Sequence, residues 1–282
     1  MKKIILFSII IITHLSLTVI CNAETTEISI NKLYLDYKKI LYSENNQDLA
    51  IDYAINILKK APESVEAYRT MTIIRDIEVT EKLRQKYNNL MELYFKNLND
   101  INSNTAEKII LIRLILMGFY KFKSHEDSRE KDKICDKTLL KIKNECKNKN
   151  YSAIALHILF LSQFKGDECM KEFLRDYPNH PAIPYVDLQL NVGNHWLNYT
   201  SEIESKKGLE NAQIYLKKYS DIITPDGTRL ALSVYSLMSI FYARLNDYDN
   251  AIKYYNLIKN ECPTYPDLAE IETEIKNTKN KH

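Results

Sequence analysis

The stretch that decides the fold lies near the carboxyl end, where residues 235–263 read YSLMSIFYARLNDYDNAIKYYNLIKNECP. Apolar and aromatic residues recur there every three or four positions, which is the spacing of one face of an α-helix. The pattern is interrupted at Asn246 and Asp247, and it ends at Pro263. Because Asn and Asp favour turns and proline cannot continue a helix, the stretch predicts two antiparallel helices joined by a short turn.

Helical periodicity extends from this pair along almost the whole chain. The 282 residues include only five glycines and seven prolines, a composition that favours long uninterrupted helices. No stretch alternates polar and apolar residues over enough length to predict a strand. We therefore expect an all-α fold of about thirteen helices, at 27–43, 47–60, 64–77, 79–99, 104–123, 129–147, 151–165, 167–176, 181–198, 206–221, 227–244, 248–260 and 265–279.

The spacing within residues 235–263 resembles that of the tetratricopeptide repeat, a helix pair of about 34 residues. That family prefers Trp, Leu, Gly, Tyr, Ala, an aromatic residue, Ala and Pro at its pattern positions. The residues at those positions here are Tyr235, Met238, Ser239, Tyr242, Ala251, Tyr255, Ile258 and Pro263. The departures are Tyr for Trp, Met for Leu, Ser for Gly and Ile for Ala, and each replacement is compatible in size.

Similar spacing recurs elsewhere in the chain. The clearest repeats are 31–64, 182–225 and 232–265, the polar helix 265–279 is expected to cap the array, and residues 79–165 have no assigned register. A copy beginning near Tyr68 is degenerate, because Arg84 occupies the position of a small residue. The residues expected to pack the helices of the repeats together are Tyr34, Ala50, Ala54, Pro62, Tyr68, Tyr185, Ala212, Tyr235, Ser239, Tyr242, Ala251, Tyr255 and Pro263.

The resemblance implies a right-handed superhelical α-solenoid, in which stacked helix pairs bury apolar surface that one pair alone would expose. It also implies that the first helix of each pair lines a concave groove. Such a groove would hold an extended peptide or a helix of a partner protein. Each residue expected there is also compatible with an ordinary solvated surface; they are Lys32, Asp36, Lys39, Arg69, Asp187, Asn194, Ser236 and Arg244.

The first 23 residues have the pattern of a secretory signal peptide. Lys2 and Lys3 precede an apolar stretch, and small residues at Cys21 and Ala23 predict cleavage after Ala23. Two alternatives remain, an uncleaved anchor, for which the stretch is short, and a lipoprotein acylated on Cys21. We expect residues 24–282 to form a single exported domain, periplasmic or secreted, that meets a membrane only through an uncleaved signal or a lipid anchor.

Cleavage would balance the charges of the chain. It would remove Lys2 and Lys3 and leave 37 of the 39 basic side chains against 37 acidic ones. A balanced surface argues against nonspecific nucleic-acid binding, which needs a basic face. Of the four cysteines that remain, Cys135 and Cys169 are expected near the same end of parallel helices, which makes them the favoured disulfide in an oxidising compartment. The alternative is buried thiols that fill gaps in the core.

Signals of catalysis are poor. The motifs GxGxxG, GxxxxGK[ST], HExxH and GxSxG do not occur. A loop setting explains His125 next to Glu126 and Asp127 better than a metal site does, and His195 next to Trp196 could either line a pocket or pack on the next helix. We expect no catalysis, metal or cofactor, and a scaffold for protein–protein contacts in the cell envelope. The alternatives are a helical domain of an envelope enzyme acting on peptidoglycan, or a purely structural array.

Overall fold

The structure, a computed structural model, describes residues 30–96, 100–162, 166–196 and 201–279. The predicted signal peptide lies outside these ranges. Within them the chain is all-α as predicted and contains no β-strand, and the single β-bridge joins Ile223 to Arg229. None of the helices in these ranges is long and apolar enough to cross a membrane.

The helices follow one another along the chain with short connections. Their bounds are α1 (30–42), α2 (Gln47–Lys60), α3 (Val65–Ile73), α4 (Glu81–Lys96), α5 (Thr105–Leu116), α6 (His125–Glu145), α7 (Lys149–Leu161), α8 (Asp167–Asp176), α9 (Ile183–Asp187), α10 (Asn194–Trp196), α11 (Glu202–Tyr219), α12 (Ala231–Arg244), α13 (Tyr248–Glu261) and α14 (Leu268–Lys279). A 3₁₀ turn at Ile74–Asp76 follows α3, and a π turn at Leu188–Gly193 joins α9 to α10.

The described chain divides into two compact units between Ile154 and Ala155. In the first unit α2 packs against α3 and α5. In the second unit α12 is the central helix and packs against α11, α13 and α14. The boundary falls within α7.

Side-chain caps determine where several helices begin. In each case an oxygen accepts a hydrogen bond from a backbone N–H of the first turn, which otherwise has no partner. Such a cap contributes about 1 kcal/mol. The capping residues are Asn46 before α2, Ser64 before α3, Ser124 before α6, Ser201 before α11 and Asp247 before α13.

The helix predicted at 104–123 ends early, at Leu116. Gly118 has a φ of +85°, in the left-handed region that glycine adopts without strain. Its N–H donates to Ile115 O at 2.9 Å, and the N–H of Phe119 donates to Leu114 O at 3.1 Å. These two bonds form a Schellman motif, which satisfies the last carbonyls of α5 and stops the helix.

The helix pair that opened the sequence analysis closes over small residues. Ser239 on α12 and Ala251 on α13 are both 0% exposed, and Ser239 Oγ donates to Ala251 O at 2.7 Å. The turn between the helices is made by Asn246, whose φ is +61°. On the far side, Ile271 and Ile275 of α14 complete the buried cluster that Ala251 belongs to.

The predicted packing residues fall into two groups. Tyr235, Tyr242 and Tyr255 are half-buried at the edge of the pair, and Pro263 is exposed. Tyr254, which the pattern did not mark, lies between Tyr235 and Tyr242, with ring centroids 5.6 Å from each. The other predicted packing residues are buried, namely Tyr34, Ala50, Ala54, Pro62, Tyr68, Tyr185, Ala212, Ser239 and Ala251.

Candidate functional site

Helix α1 presents two different faces. Tyr34 and Tyr37 are 0% exposed and belong to the core of the first unit. The outer stripe carries Lys32, Leu35, Lys39 and Tyr42, which are all exposed. Residues at this spacing share one side of a helix. Leu35 is 45% exposed and Tyr42 is 53% exposed, so two large side chains offer apolar surface about 10 Å apart along the helix.

Polar contacts join α1 to the segment that follows α2. Arg69 on α3 donates from Nε to Tyr34 Oη at 2.9 Å. Tyr42 Oη donates to Asp76 Oδ2, in the 3₁₀ turn, at 2.5 Å. We call the surface formed by the outer stripe of α1 together with Arg69 and Asp76 the α1–α3 face.

The electrostatics of the α1–α3 face keep the phenol of Tyr42 protonated. Burial and the hydrogen bond to Asp76 both raise the pKa of Tyr42, so its hydroxyl remains a donor. Lys39 forms an ion pair with Glu44 at 2.9 Å, and this contact raises the pKa of Lys39. Beneath them, the hydroxyl of Tyr37 is buried without a hydrogen-bond partner, and burial raises the pKa of Tyr37.

Four of the predicted groove residues lie in the first unit, on α1 and α3. Lys32 and Lys39 are exposed, whereas Asp36 and Arg69 are half-buried. Arg69, 35 positions from Tyr34 in the sequence, contacts α1 directly.

The other four predicted groove residues lie in the second unit, and their contacts are with neighbouring elements. Asn194 donates to Asp167 Oδ1 at 2.9 Å, and the side chain of Asp187 is 14% exposed and accepts from Asn191. Ser236 is 8% exposed, and the side chain of Arg244 is 8% exposed and faces Glu274 at 3.5 Å. Ser236 and Arg244 are therefore not open to a partner, because α11, α13 and α14 surround α12.

The second unit contains a polar network that was not predicted from the sequence. His195 Nδ1 lies 2.7 Å from Glu204 Oε2, and His195 Nε2 lies 3.0 Å from Asn211 Nδ2. The sequence had paired His195 with Trp196, whose side chain lies outside the described structure. Glu204 and Asn211 are nine and sixteen residues further along the chain, so no local pattern marks the set. Both ring nitrogens are therefore engaged, Nδ1 by Glu204 and Nε2 by Asn211.

Two other histidines, His180 and His125, occupy positions that the local structure explains. His180 Nδ1 accepts from Ala182 N at 3.1 Å, its ring meets Phe173 edge-on, and burial lowers the pKa of His180 to about 4. His125 is the first residue of α6, and Ser124, just before it, caps the helix. In the described ranges no group of three or more His, Cys, Asp or Glu side chains is placed to hold a metal ion.

The structure does not form the predicted disulfide between Cys135 and Cys169. The side chains of Cys135, Cys146 and Cys169 are buried, and the Cys135 thiol is free. Burial raises the pKa of the Cys135 thiol. Cys135 therefore matches the alternative that the sequence allowed, a small side chain that fills space in the core.

No family model matches the chain, and no curated protein sequence or solved structure matches it either.

Proposed function

We propose that this chain is an exported, non-catalytic scaffold of the tetratricopeptide-like class, which binds a partner protein of the cell envelope through its α1–α3 face. In this proposal the helix pairs stack as a right-handed superhelical solenoid, and α14 caps its carboxyl end. The residue pattern of 235–263 and the close approach of Ser239 to Ala251 support the class. The short apolar stretch behind Lys2 and Lys3 supports export.

The observation that carries the binding proposal is the exposure of Leu35 and Tyr42 on one stripe of α1. Tyrosine is enriched at protein interfaces, because its ring provides apolar contact area and its hydroxyl still forms a hydrogen bond. The hydroxyl of Tyr42 is already bound to Asp76, so its ring is held in place before a partner arrives. Holding a side chain in advance reduces the entropy lost on binding.

The polar neighbours of the stripe suit a protein partner. Lys32, Lys39 and Arg69 of the α1–α3 face offer donors, and Asp76 offers an acceptor. Mixed charges beside an apolar centre match the usual anatomy of an interface, with an apolar core and a polar rim. Ile203 and Ile214 on α11 are also exposed, but they lie eleven residues apart, about 16 Å along the helix.

Site-specific photo-crosslinking in the native cells would test the face. A photoreactive amino acid would replace Leu35 or Tyr42, and the controls would carry it at Leu93 on α4 or at Ile214 on α11, which are 55% and 56% exposed. We expect one protein adduct, identified by mass spectrometry, at positions 35 and 42 and not at the controls. Equal adducts at all four positions, or none at 35 and 42, would contradict the proposal.

A matched pair of variants adds an affinity readout. Leu35→Asp should reduce recovery of the adduct partner in a pull-down by about tenfold or more, because a charge enters the apolar centre of the interface. Leu93→Asp should leave recovery unchanged. Both changes are on exposed positions, so circular dichroism should show equal helix content.

A further inference from the structure

The network around His195 connects the π turn at Leu188–Gly193 to α11. Asn211, on α11, donates from Nδ2 to the backbone oxygen of Asn191 at 2.7 Å, and the same nitrogen lies 3.0 Å from His195 Nε2. One amide group thus contacts both a carbonyl of the π turn and the imidazole ring. On the other side of the ring, Nδ1 contacts Glu204 at 2.7 Å.

These contacts define where the protons are. The oxygen of Asn191 only accepts, so the Asn211 atom that faces it must be the nitrogen. The reversed amide would place two oxygens 2.7 Å apart. Since an amide nitrogen only donates, His195 Nε2 must accept. Neutral imidazole has one donor and one acceptor, so the hydrogen is on Nδ1 and is donated to Glu204.

We propose that His195, Asn211 and Asn191 form a proton-sensitive clamp, which holds the π turn against α11 while His195 is neutral and releases it when His195 is protonated. An imidazolium donates from both nitrogens. Its Nε2–H would point at the amide group of Asn211, which also donates. The amide relieves this contact only by moving away or by turning its oxygen to the ring, and turning withdraws its nitrogen from Asn191.

Protons can reach the clamp within an ordinary pH range. The His195 side chain is 18% exposed, so solvent has access to the ring. Histidine usually changes charge between about pH 5 and pH 8. Asn211 binds at the π turn, a rare kind of segment in which the helical hydrogen bonds are irregular. Losing the contact with Asn211 should therefore loosen this segment.

The charged groups around the ring act in opposite directions. Glu204 favours the imidazolium, whereas the donor contact of Asn211 opposes it. His195 and Lys207 lower the pKa of Glu204, so Glu204 stays ionised at neutral pH. The charged groups next to the network on the surrounding elements are Lys207, Glu202 and Lys206 on α11, Asp187 at the end of α9 with Lys218 beside it, and Asp167 on α8, which Asn194 contacts.

The first test reads the tautomer directly. The ¹⁵N chemical shifts of the imidazole of His195 in the full chain at pH 8 should show hydrogen on Nδ1 and a bare Nε2. Hydrogen on Nε2 would overturn the proposal, because Asn211 could not then donate to it.

The second test reads the π turn. The backbone N–H of Asn194 donates to Gln189 O and to Val192 O, both in the π turn, so its hydrogen-exchange protection factor reports on the turn. We expect the factor to fall about fivefold or more from pH 8 to pH 5, the effect of losing one hydrogen bond. In Asn211→Ala the factor should be low at both pH values. In Lys206→Ala, an exposed control whose partner is Glu202 and not Glu204, the fall should persist. The same fall in Asn211→Ala as in the wild type, or no fall in the wild type, would overturn the clamp.

A third variant separates the carboxylate from the clamp. Glu204→Gln retains an oxygen that accepts from Nδ1–H but removes the charge that attracts the imidazolium. The fall in protection of Asn194 should therefore occur at a lower pH in Glu204→Gln than in the wild type. A fall at the same pH or at a higher one would contradict the assigned contacts.

Discussion

Arg113 is a charged side chain within the buried apolar run of α5. It is 7% exposed, and its Nε lies 3.3 Å from Met71 O. Burial lowers the pKa of Arg113 to about 10, and the nearby charge of Arg75 adds to the effect. A base whose pKa is lower in the folded protein holds its proton more tightly when unfolded. Burying the charged Arg113 therefore lowers the free energy of unfolding in full at pH 7. This cost is relieved only as the pH rises above about 10.

Removing this charge should stabilise the protein. Arg113→Met replaces the charged group with a flexible apolar side chain. We expect it to raise the free energy of unfolding at pH 7 by about 1–3 kcal/mol, measured by urea denaturation. Arg75→Met is the control, because the Arg75 side chain is 70% exposed, and it should change stability by less than about 0.5 kcal/mol. A loss of stability in Arg113→Met would show that the bond to Met71 outweighs the cost of burial.

At the level of elements, α11 and α12 are in close contact at a glycine. A Cβ atom built on Gly208 would lie 2.6 Å from Cε2 of Phe241, whose side chain is 0% exposed. Real Cβ contacts are not this short, so a larger residue would displace the ring or the helix. This contact explains why a glycine stands inside α11, where it otherwise weakens the helix.

Gly208→Ala should therefore destabilise the protein, although alanine is the better helix former. We expect a net loss of about 1–3 kcal/mol in thermal or urea unfolding, because overpacking exceeds the gain of about 1 kcal/mol in helix propensity. Gly193→Ala is the matched control, since its Cβ would meet nothing nearer than Leu188 O at 3.6 Å. Adding Phe241→Leu to Gly208→Ala should restore part of the loss. A gain in stability from Gly208→Ala would refute the close approach.

The ends of the helices show which local sequence signals are enough to predict a helix boundary. The bounds predicted for α2 and α8, 47–60 and 167–176, agree with the structure, because each follows a clear turn. The end of α5 was wrong by several residues, although Gly118 offered the signal of a C-terminal cap. The π turn had no such signal, because the sequence around it keeps a continuous helical pattern of apolar residues.

At the scale of the whole molecule, the proposed cleavage of a signal peptide would change the net charge. Cleavage after Ala23 would leave equal numbers of acidic and basic side chains, 37 of each. We expect amino-terminal sequencing of the protein from its native cells to begin at Glu24. A chain that retains Met1 would indicate an uncleaved anchor, and one that begins at a lipid-modified Cys21 would indicate a lipoprotein. Either result would contradict the proposed processing.

The sequence alone determined that this protein is helical and where most helices lie. Those properties come from hydrophobic periodicity, caps and turns, which act over a few neighbouring residues. The small residues Ser239 and Ala251 also marked a close helix contact correctly, because only small side chains permit one.

Tertiary structure decided which faces remain open. Periodicity identified Ser236 and Arg244 as residues beside the core, yet α12 is covered on that side as well, whereas Leu35 and Tyr42 stay exposed. Tertiary structure also brought Asn211 into contact with His195, which lies sixteen positions earlier in the chain. A periodic pattern shows which face of a helix is apolar, but it contains no information about which helix will cover the other face. That depends on contacts between residues far apart in the chain.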